Sequence, residues 1–154
     1  MCKAPTEPVN ILLVEDDQID ARAVFRAIDE QRISNPVTRA KDGVEAWEIL
    51  KGLNGDIPLR RPYIIILDIN MPRLSGIELL RKLRADEDLR DSIVFVLTTS
   101  NDDQDKIEAY NLNVAGYMLK SDMGHSVKRA VQLIDKYRRV VELPVERTAA
   151  MNVA

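Results

Sequence analysis

Tyr63-Ile64-Ile65-Ile66-Leu67-Asp68 is the stretch on which the fold turns. Side chains alternate between two faces along a strand, so an unbroken apolar run needs cover on both, which a parallel sheet between helices supplies. The run stops on an acid. A second run, Ile11 to Val14, stops on Glu15, Asp16 and Asp17. If both are parallel strands, their carboxylates meet at the sheet edge where open α/β folds take ligands. Like charges gathered there resist ionisation unless a cation neutralises them. An all-oxygen cluster suits Mg²⁺, which usually reaches proteins as the partner of phosphate oxygens, so the site points to phosphoryl chemistry.

Outward from these runs, two kinds of segment alternate from Asn10 to about Val141, the mark of a parallel sheet flanked by helices. The first strand is Asn10–Val14. A helix follows from about Gln18 to Gln31, with Ala23, Val24, Ala27 and Ile28 on its inner face. Pro36 to Ala40 makes a short edge strand, where proline is tolerated. Asp42 caps a helix running to about Leu53, with Val44, Ala46, Trp47, Ile49 and Leu50 as its apolar residues. After a long connection from Gly52 to Pro62 comes the central strand. Ser75 and Gly76 open a third helix striped by Leu79, Leu80 and Leu83. Ile93 to Leu97 is the fourth strand. Asn101 to Tyr110 reads as a fourth helix with a left-handed stop near Asn113. Val114 to Leu119 is the fifth strand, and the last helix spans about Asp122 to Val141, with Val127, Ala130, Val131 and Ile134 facing inward. The expected architecture is a flavodoxin-like (βα)5 doubly wound parallel sheet ordered 2-1-3-4-5, because right-handed crossovers place helices on both faces.

The chain's 154 residues fit one domain. We expect residues 1–9 to be a flexible lead, 10–141 the domain and 142–154 a short tail without an output module. A net charge of −3 argues against a nucleic-acid partner, and no apolar run is long enough to span a membrane. The single Cys2 cannot form an internal disulfide and no signal peptide is visible, which fits a cytoplasmic protein. His125, the only histidine, reads as a surface residue, and Trp47 as helix packing.

Three strand ends add what a phosphoryl group needs: the Thr98 hydroxyl, the Lys120 ammonium, and the Asn70 backbone carbonyl for the metal. Together with Val14-Glu15-Asp16-Asp17, Leu67-Asp68-Ile69-Asn70-Met71-Pro72, Ser75-Gly76 and Leu97-Thr98-Thr99, these residues make the chain resemble the receiver domain of two-component response regulators over nearly its whole length. The resemblance implies that Asp68 takes a phosphoryl group from a histidine on a sensor kinase. It implies Mg²⁺ held by Asp16 directly, Glu15 through water, Asp68 and the Asn70 carbonyl, with Lys120 neutralising incoming oxygens. Asp17 reads as a third acid or as a helix cap. Thr98 and Tyr117 would form the switch that changes partner binding at the face of the fourth helix, fifth strand and last helix.

The chain departs from the family at Lys120-Ser121, where receivers carry Lys-Pro with a cis bond. A cis bond before serine costs about 2.5–4 kcal/mol, so this turn is either trans or strained and the aim of Lys120 is open. Leu97-Thr98-Thr99-Ser100, the Gly52–Pro62 connection, Asp20 and Glu142-Leu143-Pro144 are similar to the small stand-alone regulators of bacterial phytochrome-type histidine kinases. That likeness implies light signalling and a homodimer, with Tyr110, Leu112, Met118 and Met123 offered to the pairing surface. A signalling phosphoacceptor of this kind catalyses only its own Mg²⁺-dependent phosphorylation and dephosphorylation. The rival is a receiver-fold binding module that is not phosphorylated. A haloacid-dehalogenase-type phosphatase would want an acid where Asn70 stands. A flavodoxin-like cofactor module would not place acids after the first strand.

Overall fold

The computed structural model describes residues 8–53, 55, 58–69, 71, 76–98 and 110–138. In chain order they form β1 (Asn10–Val14), α1 (Gln18–Glu30), β2 (Val37–Ala40), α2 (Gly43–Lys51), β3 (Tyr63–Asp68), α3 (Gly76–Ala85), β4 (Ile93–Thr98), β5 (Gly116–Leu119), a 3-10 turn (Lys120–Asp122) and α4 (Met123–Arg138). All strand pairs are parallel and the order is β2-β1-β3-β4-β5, as the crossover argument expects. The helix expected over Asn101–Tyr110 lies, apart from Tyr110, outside the described residues, as do the lead up to residue 7, Cys2 included, and the tail 142–154. Asn113 has the left-handed φ of 59° expected of a helix stop.

The central strand divides its side chains between two cores. Ile64 and Ile66 join Ile11 and Leu13 under α1 and α4, where Val24, Ile28, Val127 and Val131 close that layer. Ile65 and Leu67 turn the other way and pack with Leu12, Val14, Ala46, Leu79, Leu80 and Leu83 beneath α2 and α3. Every residue of β3 is buried, and each Ile or Leu so placed contributes roughly 1.5–3 kcal/mol of transfer free energy.

Local differences from the sequence reading have local causes. Ala23 is exposed and Ala21 buried in its place, because the inner stripe of α1 runs through Ala21, Val24 and Ile28. Val44 faces solvent and Trp47 is half-buried, with Lys82 Nζ 4.1 Å from the centre of its ring. α2 stops at Lys51 because Gly52 adopts a left-handed cap with φ of 68°. β5 starts at Gly116, two residues later than expected, and the turn after Leu119 is 3-10 before α4 begins. Arg84, which the sequence reading did not single out, donates to the carbonyls of Ser92, Arg90, Leu112 and Asn113 and so ties α3 to the approaches of β4 and β5.

Candidate functional site

Strand register alone assembles the site. Val14 pairs with Leu67, so Glu15 and Asp68 stand side by side just beyond that pair. Asp68 pairs with Leu97, the residue before Thr98. Thr98 in turn pairs with Leu119, the residue before Lys120. Residues far apart in sequence thus reach one edge of the sheet, where Glu15, Asp68 and Thr98 are 0%, 4% and 2% exposed.

Side chains then converge. Glu15, Asp16 and Asp68 each offer a carboxylate oxygen within 4.8 Å of the others. Lys120 Nζ lies 2.7 Å from Glu15 Oε1, 2.8 Å from Asp20 Oδ2 and 3.3 Å from Asp68 Oδ2. The cis peptide found among the described residues is Arg61-Pro62; Lys120-Ser121 is trans, and the lysine reaches the acids from the 3-10 turn that follows. The question left open by Ser121 is answered in favour of trans geometry with the ammonium still aimed at Asp68.

The loop that carries the acids is held from both sides. Asp17 is the N-cap of α1, its Oδ1 accepting from the N–H groups of Ile19 at 2.8 Å and Asp20 at 2.9 Å. Asp17 is therefore a cap, outside the three-carboxylate group. Arg39 on β2 donates its Nε to the Glu15 carbonyl at 3.1 Å and Nη2 to the Asp16 carbonyl at 3.2 Å. Sequence reasoning missed Arg39, and it treated Asp20 only as a mark of likeness. Asp20 could have been found: three residues beyond the cap, it lies one helical turn along the same face.

Gly76 brings α3 against the end of β3. A Cβ at that position would sit well inside contact distance of Ile69 Cα and the Asp68 carbonyl oxygen, both backbone atoms. Only glycine lets the helix start this close to the acid.

The residues present fit a divalent ion. Glu15 Oε1 is buried and accepts no aligned hydrogen bond, although Lys120 Nζ is close. A buried acceptor left in that state costs about 1–3 kcal/mol, which a cation ligated there removes. Burial first, and then the hydrogen-bond contact and charge of Asp68, push the Glu15 carboxyl up from 4.5 to about 8 against the opposing pull of Lys120. Burial alone would lower Lys120, but its hydrogen bond to Asp20, its close contact with Glu15 and the charges of Asp68 and Glu15 raise it, so the ammonium stays charged.

A pH dependence follows from Glu15. Its folded-state value lies above its unfolded one, so metal-free protein binds the extra proton between about 4.5 and about 8. The stability this confers is full below that window and falls as pH rises through it. An ion needs the deprotonated carboxylate, so Mg²⁺ affinity is expected to rise over the same range. Thermal unfolding with EDTA and with Mg²⁺ across this range measures both; a Mg²⁺ effect that does not grow with pH contradicts the assignment.

Other expected residues fall as follows. Tyr117 is half-buried on β5, its ring centroid 4.8 Å from that of Tyr110. Met118 and Met123, expected at a pairing surface, are each 3% exposed and belong to the core beneath α4, so they cannot contribute to it. Their inward turn follows from the alternation of β5 and from the place of Met123 at the start of α4. His125 is exposed. Asn70 and Ser75 lie outside the described residues. Among the described residues no helix is long and apolar enough to cross a membrane.

A five-stranded 2-1-3-4-5 sheet with acids, a hydroxyl and a lysine at its carboxyl edge defines the receiver class, and the chain belongs to the response regulator receiver domain family, whose pattern it matches over residues 11–132. It is 34% identical over 130 residues to response regulator Rcp1 of Synechocystis, covering 84% of this chain and 88% of that one. A Mn²⁺-bound structure of response regulator Rcp1 is similar at TM-score 0.66 and 29% identity, covering 91% of this chain and 100% of the other. The bacteriophytochrome response regulator AtBRR is similar at TM-score 0.69 and 27% identity, covering 92% and 99%. The phosphorylated cyanobacterial phytochrome response regulator RcpA is similar at TM-score 0.66 and 28% identity, covering 91% and 99%. The proteins it resembles thus include phytochrome response regulators.

Proposed function

We propose that this receiver is a phosphoacceptor: Asp68 takes a phosphoryl group from a histidine of a sensor kinase, and the modified carboxylate changes what the protein binds. The observation that carries the reading is the meeting of Asp68 with Glu15, Asp16 and Lys120 at one buried edge. In the transfer, an Asp68 carboxylate oxygen bonds to phosphorus while the bond from phosphorus to the donor imidazole nitrogen breaks. The nitrogen keeps the electron pair. Glu15, Asp16 and Asp68 would hold Mg²⁺, with the Asn70 carbonyl as the remaining protein ligand. When bound, the ion supplies charge neutralisation and positioning for the phosphoryl oxygens. Lys120 pairs with one of those oxygens, and the Thr98 hydroxyl donates to another.

Acyl phosphate formation brings several strong acceptors to the edge of the sheet, and Thr98 is the buried donor able to follow them. Its movement opens room beside Tyr117, which turns inward and alters the surface it shares with Tyr110, a population shift between two arrangements. We place partner binding on this face, together with self-association into a homodimer. The similarity to AtBRR and RcpA supports a phytochrome-type kinase as donor, and hence light signalling. A lysine 3.3 Å from Asp68 despite Ser121 supports the phosphoacceptor reading over its rival, a receiver-fold binding module that is not phosphorylated.

Incubation with acetyl phosphate and Mg²⁺ followed by intact-mass measurement is the test. The protein is expected to gain one phosphoryl group, and none when EDTA replaces the ion. No gain under either condition would favour the binding-module reading.

A further inference from the structure

Lys120 is shared between two competing uses. The ammonium donates to Asp20 Oδ2 at 2.8 Å and Asp68 Oδ2 at 3.3 Å, and pairs with Glu15 Oε1 at 2.7 Å by charge without an aligned hydrogen bond. Glu15 and Asp68 also belong to the group able to hold a cation; Asp20 does not. A divalent ion and the ammonium therefore claim the same two carboxylates, and their like charges repel at close range. Asp20 is the partner of the lysine that lies outside the carboxylate group able to hold an ion.

We propose that Asp20 is a positioning residue that draws Lys120 off the metal carboxylates. With the ion in place, the ammonium stays at the wall of the pocket on Asp20, near enough to meet a phosphoryl oxygen and no longer seated over Glu15. The inference rests on the phosphoacceptor reading and adds a residue to its machinery. Several features of the fold suit the role. Asp20 sits in the first turn of α1, where its own N–H donates to the Asp17 cap at 2.9 Å, so its backbone is fixed. Its side chain is 42% exposed, and the pair with Lys120 escapes the penalty of a fully buried ion pair. A cavity of about 100 Å³ lined by Asp20, Ala23, Ala27, Lys120, Ser121 and Gly124 adjoins the pair and leaves the lysine room to shift.

A double-mutant cycle on the full chain tests this, read by calorimetric titration with Mg²⁺ alone at fixed pH and salt. Asp20→Ala is expected to weaken Mg²⁺ binding on the order of fivefold, a modest effect because the pair is partly solvated. Lys120→Ala is expected to tighten it. In the Lys120→Ala background, Asp20→Ala should change affinity by less than about twofold, because its action passes through the lysine. An equal loss in both backgrounds would show Asp20 to be only another negative charge near the ion and would overturn the proposal. So would an unchanged affinity in Asp20→Ala. Alanine at this helical position is a good helix former, so folding is not at stake. As a second readout, the initial rate of phosphorylation by acetyl phosphate at saturating Mg²⁺ should fall in Asp20→Ala and recover in Asp20→Glu, which keeps the carboxylate. Absence of recovery by a folded Asp20→Glu protein that still binds Mg²⁺ like Asp20→Ala counts against the role. A parent that binds Mg²⁺ but never gains phosphate ends the phosphoacceptor reading alone, a flat cycle ends the Asp20 proposal alone, and a parent that binds no Mg²⁺ ends both.

Discussion

Asp68→Asn is expected to take up no phosphoryl group from acetyl phosphate and Mg²⁺ while keeping its fold. The amide has nearly the same volume as the carboxylate, so the buried end of β3 is not repacked. What disappears is the nucleophilic oxygen. The variant also removes one charge from three carboxylates that lie within 4.8 Å of one another, which relieves their mutual repulsion in metal-free protein. Its stability without metal is therefore expected to equal or exceed that of the parent. The ion loses a ligand at the same time, so the rise in melting temperature on adding Mg²⁺ should shrink. Intact mass and thermal unfolding together decide the matter. A variant that still gains mass would place the chemistry on another residue.

Gly76→Ala is expected to damage stability and site together. The new methyl would press on the backbone of Ile69 and Asp68, which cannot rotate aside as a flexible side chain can. Either α3 lifts from the sheet, exposing the stripe of Leu79, Leu80 and Leu83, or the end of β3 moves and takes Asp68 with it. Overpacking of this kind costs about 3 kcal/mol. Urea unfolding measures the loss, and Mg²⁺ titration of the remaining folded protein should show weakened binding. Gly116→Ala is the matched control: among the described residues its Cβ would meet only Phe95 Cδ1, at 4.0 Å, and it should cost little. Equal tolerance at both positions would mean that close approach at Gly76 is not what seats the acid.

Much of the site was legible because its members are strand ends. Apolar runs at Asn10–Val14 and Tyr63–Asp68 mark β1 and β3 without ambiguity, and parallel pairing then carries Glu15 beside Asp68 whatever the loops do. Thr98 and Lys120 follow by the same logic. The caps Asp17 and Asp42 were readable as short-range signals, although only the bonds from Ile19 and Asp20 decide that Asp17 is a cap and not a third acid of the cluster. Met118 and Met123 were misassigned to the surface because an apolar residue near a helix start carries no mark of the side it faces. Arg39 and Arg84 escaped because their partners are backbone carbonyls, which every residue possesses.

The amino-acid order by itself determined the alternation of strands and helices, the sheet order and the acids at its carboxyl edge. Those properties depend on period, on chain direction and on the handedness of crossovers, all local or nearly so. Tertiary structure alone decided that Lys120 reaches Asp20 across a hundred positions of sequence, and that a trans peptide before Ser121 still aims the ammonium at Asp68. It also decided that Gly76 must lack a side chain. Such contacts depend on how far each helix is rotated and how closely it approaches the sheet, quantities set by the packing of both cores at once and written in no single segment.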